Sequence, residues 1–307
     1  MKKTNFIQIM SRDLKRNYIL YLMIFPVLVY YITFYYVPMY GVQIAFRDYI
    51  PKLGFFKSEW VGWYNFSRFF DGYNFWNLIK NTVGISIYSL VVGFPIPIIF
   101  ALMLNYINKE WFKKSIQMIS YAPYFISIVV ICGMITIFMS PDAGILNIIR
   151  EEMGLEPVAF LSKAEWFKSI YVWTGIWQGI GWASIIYISA LSGVDPQLHE
   201  AAIIDGAIKI KRIYHIDLPS IAPTIIMLFI LNVGQIMNVG FEKIFLLQNS
   251  LNMSASDVIS TYVYRVGLIG ADYSFSTAVG LFNSVINLII LIMVNQAAKK
   301  MTSTSLW

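Results

Sequence analysis

Six long apolar runs separated by polar segments set the plan of this chain, at about residues 18–43, 79–106, 115–139, 168–193, 221–247 and 276–297. Each is longer than the roughly 18 residues that carry an α-helix across a bilayer. Hydrocarbon offers the backbone no hydrogen-bond partners, so the runs predict helices. The expected fold class is an all-α polytopic membrane protein with six transmembrane helices, organised as a single transmembrane domain over 18–297. A polar N-terminal segment, 1–17, precedes it, and a C-terminal tail, 298–307, follows. The first run is too long for the core of a signal peptide, and no small-x-small cleavage site follows it, so it is expected to remain as an anchor.

The segment between the fourth and fifth runs, residues 195–219, is longer than a connection needs and has helical grammar of its own. Asp195 offers a side-chain acceptor at a helix start, and Pro196 suits the first helical position because its missing amide is not needed there. A helix from Pro196 through Ile204 would meet Asp205 and Gly206, where glycine takes up the left-handed conformation that ends helices. A second short helix is expected over Ala207–His215, leading through Leu218 and Pro219 into the fifth run. Ala201 and Ala202 make a slim surface beside Glu200, suited to a groove on another protein. Lys209, Lys211 and Arg212 equally suit a helix resting on the membrane surface, and both readings stand on the residues alone.

Composition agrees with the pattern: 58% of residues are hydrophobic, 17% aromatic and 13% charged. The formal charge of +6 is spread through loops and forms no nucleic-acid face. Lysine and arginine fix the orientation. The N-terminus, the loop around Lys113, the Glu200 loop and the C-terminus hold 13 of the 23 basic residues but 6 of the 17 acids. By the positive-inside rule this face is cytoplasmic. The one cysteine, Cys132, lies inside an apolar run, so it forms no internal disulfide and reads as a packing residue.

The loops and spans carry candidate chemistry unevenly. The first outer loop, 43–77, gathers Trp60, Trp63, Tyr64, Phe66, Phe69, Phe70 and Trp76, as an interfacial aromatic belt or a ligand surface. Pro95 and Pro97 remove backbone donors and bend the second span unless neighbours compensate. A short helix is expected near Gly144–Met153. In the fourth span, Gly175 and Gly179 form a small-xxx-small pair for close helix approach, while Trp177, Gln178 and Trp182 suit either helix packing or sugar rings. Asn232, Gln235, Asn238 and Glu242 fall within an arc of about 120° on a helix turning about 100° per residue. Asn283 and Asn287 repeat this stripe in the sixth span. Polar groups at membrane depth line a pathway or join helices, and both roles are open here.

Much chemistry is absent. There is no phosphate loop, no H-E-x-x-H and no recognisable Ser-His-Asp arrangement, and His199 and His215 stand without a third metal ligand nearby. An intramembrane enzyme is unsupported. An ion-driven secondary transporter would call for inverted repeats and mid-membrane ionisable groups, of which only Glu242 is a candidate.

The spacing Glu200-Ala201-Ala202, Gly206, Ile216, Leu218-Pro219 resembles the loop signature of permease subunits of binding-protein-dependent ABC importers. The likeness extends over nearly the whole chain and is nearest to carbohydrate-uptake permeases of the maltose-transporter type, in the branch handling oligo- and polysaccharides. Tyr36 to Gly41, Val61-Gly62, Asn65-Phe66, Asn81-Thr82, Gly144 to Asn147 and Gly240-Phe241-Glu242 carry it further; Ile213, where many relatives have an aromatic residue, departs from it. The resemblance implies a multi-pass permease of the bacterial cytoplasmic membrane with both termini inside, itself neither an enzyme nor a cofactor binder. Its implied partners are a second homologous permease, two cytoplasmic ATPase subunits carrying ATP and Mg, an extracytoplasmic solute-binding protein, membrane lipid and an oligosaccharide substrate; the loop signature is shared more widely than sugar transport, so an amino-acid or peptide substrate stays open. The loop would be a coupling helix seated in the ATPase, with Glu200 paired to a basic residue there and Asp205 and Gly206 at its turn.

Overall fold

A chain this apolar must bury its backbone polar groups in helices, and the computed structural model, which describes residues 13–302 and Ser305, is helical along most of its length. Parts of the N-terminal segment 1–17 and of the tail 298–307 lie outside the described residues. Four helices are long and apolar enough to cross a membrane: α1 (Tyr18–Phe46), α2 (Phe75–Asn105), α8 (Lys209–Val233) and α10, whose apolar stretch is Tyr273–Lys300 and which runs to Thr302. A fifth arises where α3 (Glu110–Phe125) and α4 (Ile128–Phe138) are counted as one span bent by 99°. The remaining long helix, α6 (Ala164–Ser192), has 29 residues, but its tryptophans, glycines and hydroxyl residues leave it less apolar than the others. Shorter helices are α5 (Ile145–Glu152), α7 (Pro196–Ile204) and α9 (Phe241–Leu247).

Two of the expected spans are not single straight helices. The third, read as 115–139, breaks at Ile126–Ser127, where Pro123 supplies no amide donor and Ser127 caps the new helix by accepting from the Val130 amide at 3.4 Å. The fifth, read as 221–247, ends its helix at Val233 and restarts at Phe241. By contrast Pro95 and Pro97 do not break α2; a π turn at Ser89–Gly93 widens the helix just before them and lets it continue.

The core lies in separate apolar clusters strung along the bundle. Ile85, Ile131, Phe167, Ile170, Ile244 and Val258 form one, with Cys132 buried among them. Phe69, Leu78, Met237, Ile259, Phe275 and Val279 form a second, and Ala101, Tyr187, Leu191 and Ile221 a third towards the Glu200 loop. Close helix approach falls at Gly181, where a Cβ would overlap the Ser120 backbone carbonyl, and not at Gly179, which faces open space. Gly175 faces the Lys243 ammonium.

Buried amides tie the loops to the bundle. Asn81 donates to the Ser254 and Asp257 carbonyls at 2.9 and 3.1 Å, and Thr82 accepts from the Ile259 amide at 3.1 Å. Asn65 donates to the Ala45 carbonyl at 3.0 Å, beside a two-residue antiparallel ladder pairing Arg47–Asp48 with Glu59–Trp60. Asn147 donates to the Ser140 and Val158 carbonyls at 2.9 and 3.0 Å, which fixes α5 in the loop where a helix was expected. The aromatics of 43–77 divide: Phe66 and Phe69 are core, while Trp60, Trp63, Tyr64, Phe70 and Trp76 are exposed.

Candidate functional site

The break between α8 and α9 builds a cavity. Its sequence, Gly234-Gln235-Ile236-Met237-Asn238-Val239-Gly240, has a glycine at each end and short turns between. The Gln235 and Asn238 amides bond back to the Asn232 and Gln235 carbonyls at 3.1 and 2.8 Å. α10 supplies what the lost helix cannot: Asn287 accepts from the Met237 amide at 3.0 Å, and Asn283 donates to the Asn238 side chain at 2.9 Å. Irregular backbone at membrane depth is tolerated where it lines a cavity or is held by protein. Here both hold, because Asn232, Gln235 and Asn238 line a cavity of about 550 Å³ shared with Ser89, Tyr171 and Tyr187. A second cavity of about 330 Å³, lined by Gln178 and Lys243, adjoins it across Ser89, Gly93, Pro97, Tyr171 and Ala183.

The predicted stripe therefore separates into roles. Asn232, Gln235 and Asn238 face the cavity. Asn287 is buried and holds the break, and Asn283 positions Asn238 while lining a different recess with Tyr264 and Gly280. Glu242, in the first turn of α9, is exposed and belongs to neither cavity; the helical arc that placed it with the others does not survive the break. Gln178 donates to the Ile126 carbonyl at 3.3 Å, patching the bend between α3 and α4 as Asn287 patches that between α8 and α9. The tryptophans lie apart: Trp182 stacks on Tyr124 at 4.6 Å, and Trp177 lines an apolar recess with Trp173 and Ile131.

At the other end of α8 stands the 195–219 loop. Asp195 caps α7 by accepting from the Gln197 amide at 2.9 Å, and Gly206, at φ +74°, closes it with the Ala207 amide donating to the Ala202 carbonyl at 2.8 Å. The expected second short helix is not separate. Lys209 to Val233 runs as one helix through a π turn at Ile213–Asp217. Glu200, Ala201, Asp205, Gly206 and Pro219 are exposed; Ala202, Ile216 and Leu218 are half-buried. Ile204 is 86% exposed, an apolar tip that in water costs free energy until something covers it.

Two features escaped the sequence. Asp217 is fully buried, with the Tyr106 hydroxyl donating to its Oδ2 at 2.7 Å and His199 Nε2 lying 3.2 Å from its Oδ1. This contact pins α7 by its inner face to α2 and α8 and leaves Glu200 turned outward. The second is Lys243, buried among apolar residues with its ammonium donating to the Tyr171 carbonyl at 2.9 Å. No local signal in the sequence marks it. Among the described residues no group of three or more His, Cys, Asp or Glu is placed to hold a metal.

Known proteins match this arrangement along its length. The chain is 44% identical over 294 residues to protein LplB of Bacillus subtilis, covering 96% of this chain and 92% of that one. It is 40% identical to the polygalacturonan/rhamnogalacturonan transport system permease YteP of the same organism, covering 97% and 93%. Among solved structures it superposes with a TM-score of 0.89, at 40% identity over 95% of this chain and 99% of the other, on a chain of a bacterial ABC transporter that imports the acidic polysaccharide alginate. A structure of a bacterial alginate transporter in complex with an alginate pentasaccharide-bound periplasmic protein matches with a TM-score of 0.90. With residues 93–303 matching the family as well, the chain belongs to the inner membrane components of binding-protein-dependent transport systems.

Proposed function

We propose that this chain is the permease subunit of an ATP-driven importer that moves an oligosaccharide or polysaccharide fragment into the cytoplasm by alternating access. The observation that carries this reading is the architecture of α8. One end continues from an exposed, capped loop, and the other ends at a break whose Asn232, Gln235 and Asn238 line the cavity. Amides and hydroxyls on a partly aromatic wall suit the hydroxyl groups and apolar faces of sugar rings. In this reading α6 and the bent α3–α4 pair complete six spans, with both termini and the 195–219 loop on the cytoplasmic side, where basic residues predominate.

The loop is the coupling element: Glu200 meets a basic residue of an ATPase subunit, and Leu198, Ile203 and Ile204 fill its groove. ATP and Mg reside on two such subunits, since this chain has no phosphate loop. A second permease completes the pathway, and an extracytoplasmic binding protein delivers the sugar. The test is co-expression with the ATPase. Glu200→Ala and Gly206→Pro should abolish its co-purification and ATP-driven uptake while insertion is normal, and undiminished assembly and transport in both would refute the assignment.

A further inference from the structure

The cavity pair holds a cation without a counter-charge. Lys243 is 7% exposed, its ammonium sits 5.0 Å over the Tyr171 ring, and its one bond is to the Tyr171 carbonyl. Among the described residues no carboxylate forms an ion pair with it, and the adjacent Glu242 is exposed. An ammonium removed from water costs free energy that one neutral carbonyl and a ring face offset only in part. With three N–H donors and one acceptor, the ammonium keeps donor capacity for an incoming partner.

The surroundings indicate where that partner comes from. Lys243 lines the smaller cavity beside Gln178, and this space adjoins the larger cavity of Asn232, Gln235 and Asn238. The small Gly175 leaves the ammonium room, for a Cβ there would stand 3.3 Å from it. One turn along α6 from Tyr171, Lys168 lies against Gly84 of α2, within electrostatic range of Lys80. Neither lysine forms an ion pair among the described residues. Lys168 and Lys80 thus form a second group of cations, between α6 and α2.

We propose that Lys243 reads the carboxylate of an acidic saccharide, a uronate-containing oligosaccharide, as it passes the cavity. This deepens the transport assignment above and rests on it. The carboxylate completes the ammonium's coordination with a charge-assisted hydrogen bond, while Gln178 and the Asn232–Asn238 edge hold ring hydroxyls. A neutral sugar of the same size leaves the cation unpaired and binds more weakly.

The test uses trigalacturonate and its fully methyl-esterified form, which differ in charge and hardly in shape, titrated into the purified complex of permeases and ATPases without binding protein. The wild-type complex should bind the acid about tenfold or more tightly than the ester, as expected for a hydrogen bond to a charged group. Lys243→Met should erase that preference and Lys243→Arg should keep it, with monodisperse gel filtration confirming assembly of both. Equal affinity of the wild type for acid and ester, binding of neither, or a preference that survives Lys243→Met would overturn the proposal. ATP-driven uptake by the complete assembly separates the two claims: uptake indifferent to Lys243 removes the carboxylate role alone, and absence of any oligosaccharide uptake removes the transport assignment as well.

Discussion

Asn287 of α10 accepts a hydrogen bond at 3.0 Å from the amide of Met237, 50 positions earlier in the chain. The apolar segment that begins with α8 is interrupted where α10 can repair it, and the two are fastened beside the cavity. Replacing Asn287 with leucine leaves a buried amide without an acceptor, at a cost of about 1–3 kcal/mol. The detergent-solubilised complex should show a lower thermal midpoint. Asn283→Leu, which leaves the Met237 amide satisfied, should lower it less, and equal midpoints would contradict the repair role.

Gly181 and Gly179 should respond in opposite ways. A methyl at Gly181 meets the Ser120 carbonyl and the Tyr121 ring, both part of the α3 wall, whereas at Gly179 nothing lies within 4 Å. Gly181→Ala should reduce stability by about 1–3 kcal/mol through overpacking, and Gly179→Ala should be neutral or slightly stabilising because alanine favours helix. Midpoint measurements on the two variants decide between this and the reverse order that a Gly175–Gly179 contact requires.

Tyr106 and Asp217 should be energetically coupled. The carboxylate is fully buried and takes its one hydrogen bond from the Tyr106 hydroxyl, with His199 close by. A double-mutant cycle of Tyr106→Phe and Asp217→Ala should return a coupling of about 1.5–3 kcal/mol, the usual range for a hydrogen bond to a charged group. Additive effects would mean that Asp217 is satisfied elsewhere.

Along the former stripe, uptake should depend on which residues face the cavity. Gln235→Leu and Asn238→Leu should reduce transport several-fold without dissociating the complex, while Glu242→Gln, outside both cavities, should transport like the wild type. Wild-type kinetics in the two leucine variants, or a severe defect at Glu242, would reverse the assignment.

Local grammar was legible and long-range partnership was not. Asp195, Pro196 and Gly206 state a helix with its cap and its stop, and α7 follows them residue for residue because those signals act within one turn. The polar residues Asn232 to Glu242 were legible as important, but their geometry was inferred from unbroken helical phase. Two glycines and the rescue by Asn287 overrode that phase, and a partner 50 residues away leaves no local mark. Gln178 was likewise noticed as polar, although what it serves is a bend 52 positions upstream. Lys243 and Asp217 were passed over because each sits beside a more conspicuous neighbour, and burial alone makes them distinctive.

The absence of a joint after Lys209 has a mechanical consequence. Lys209 to Val233 is a single rod of 25 residues, roughly 37 Å at 1.5 Å per residue, with the exposed loop at one end and Asn232 at the other. The helix stays continuous through the π turn at Ile213–Asp217 and through Pro223, and its first interruption is the break at Gly234. In the proposed coupling, a tilt imposed on the loop travels along one continuous helix to the cavity's own rim.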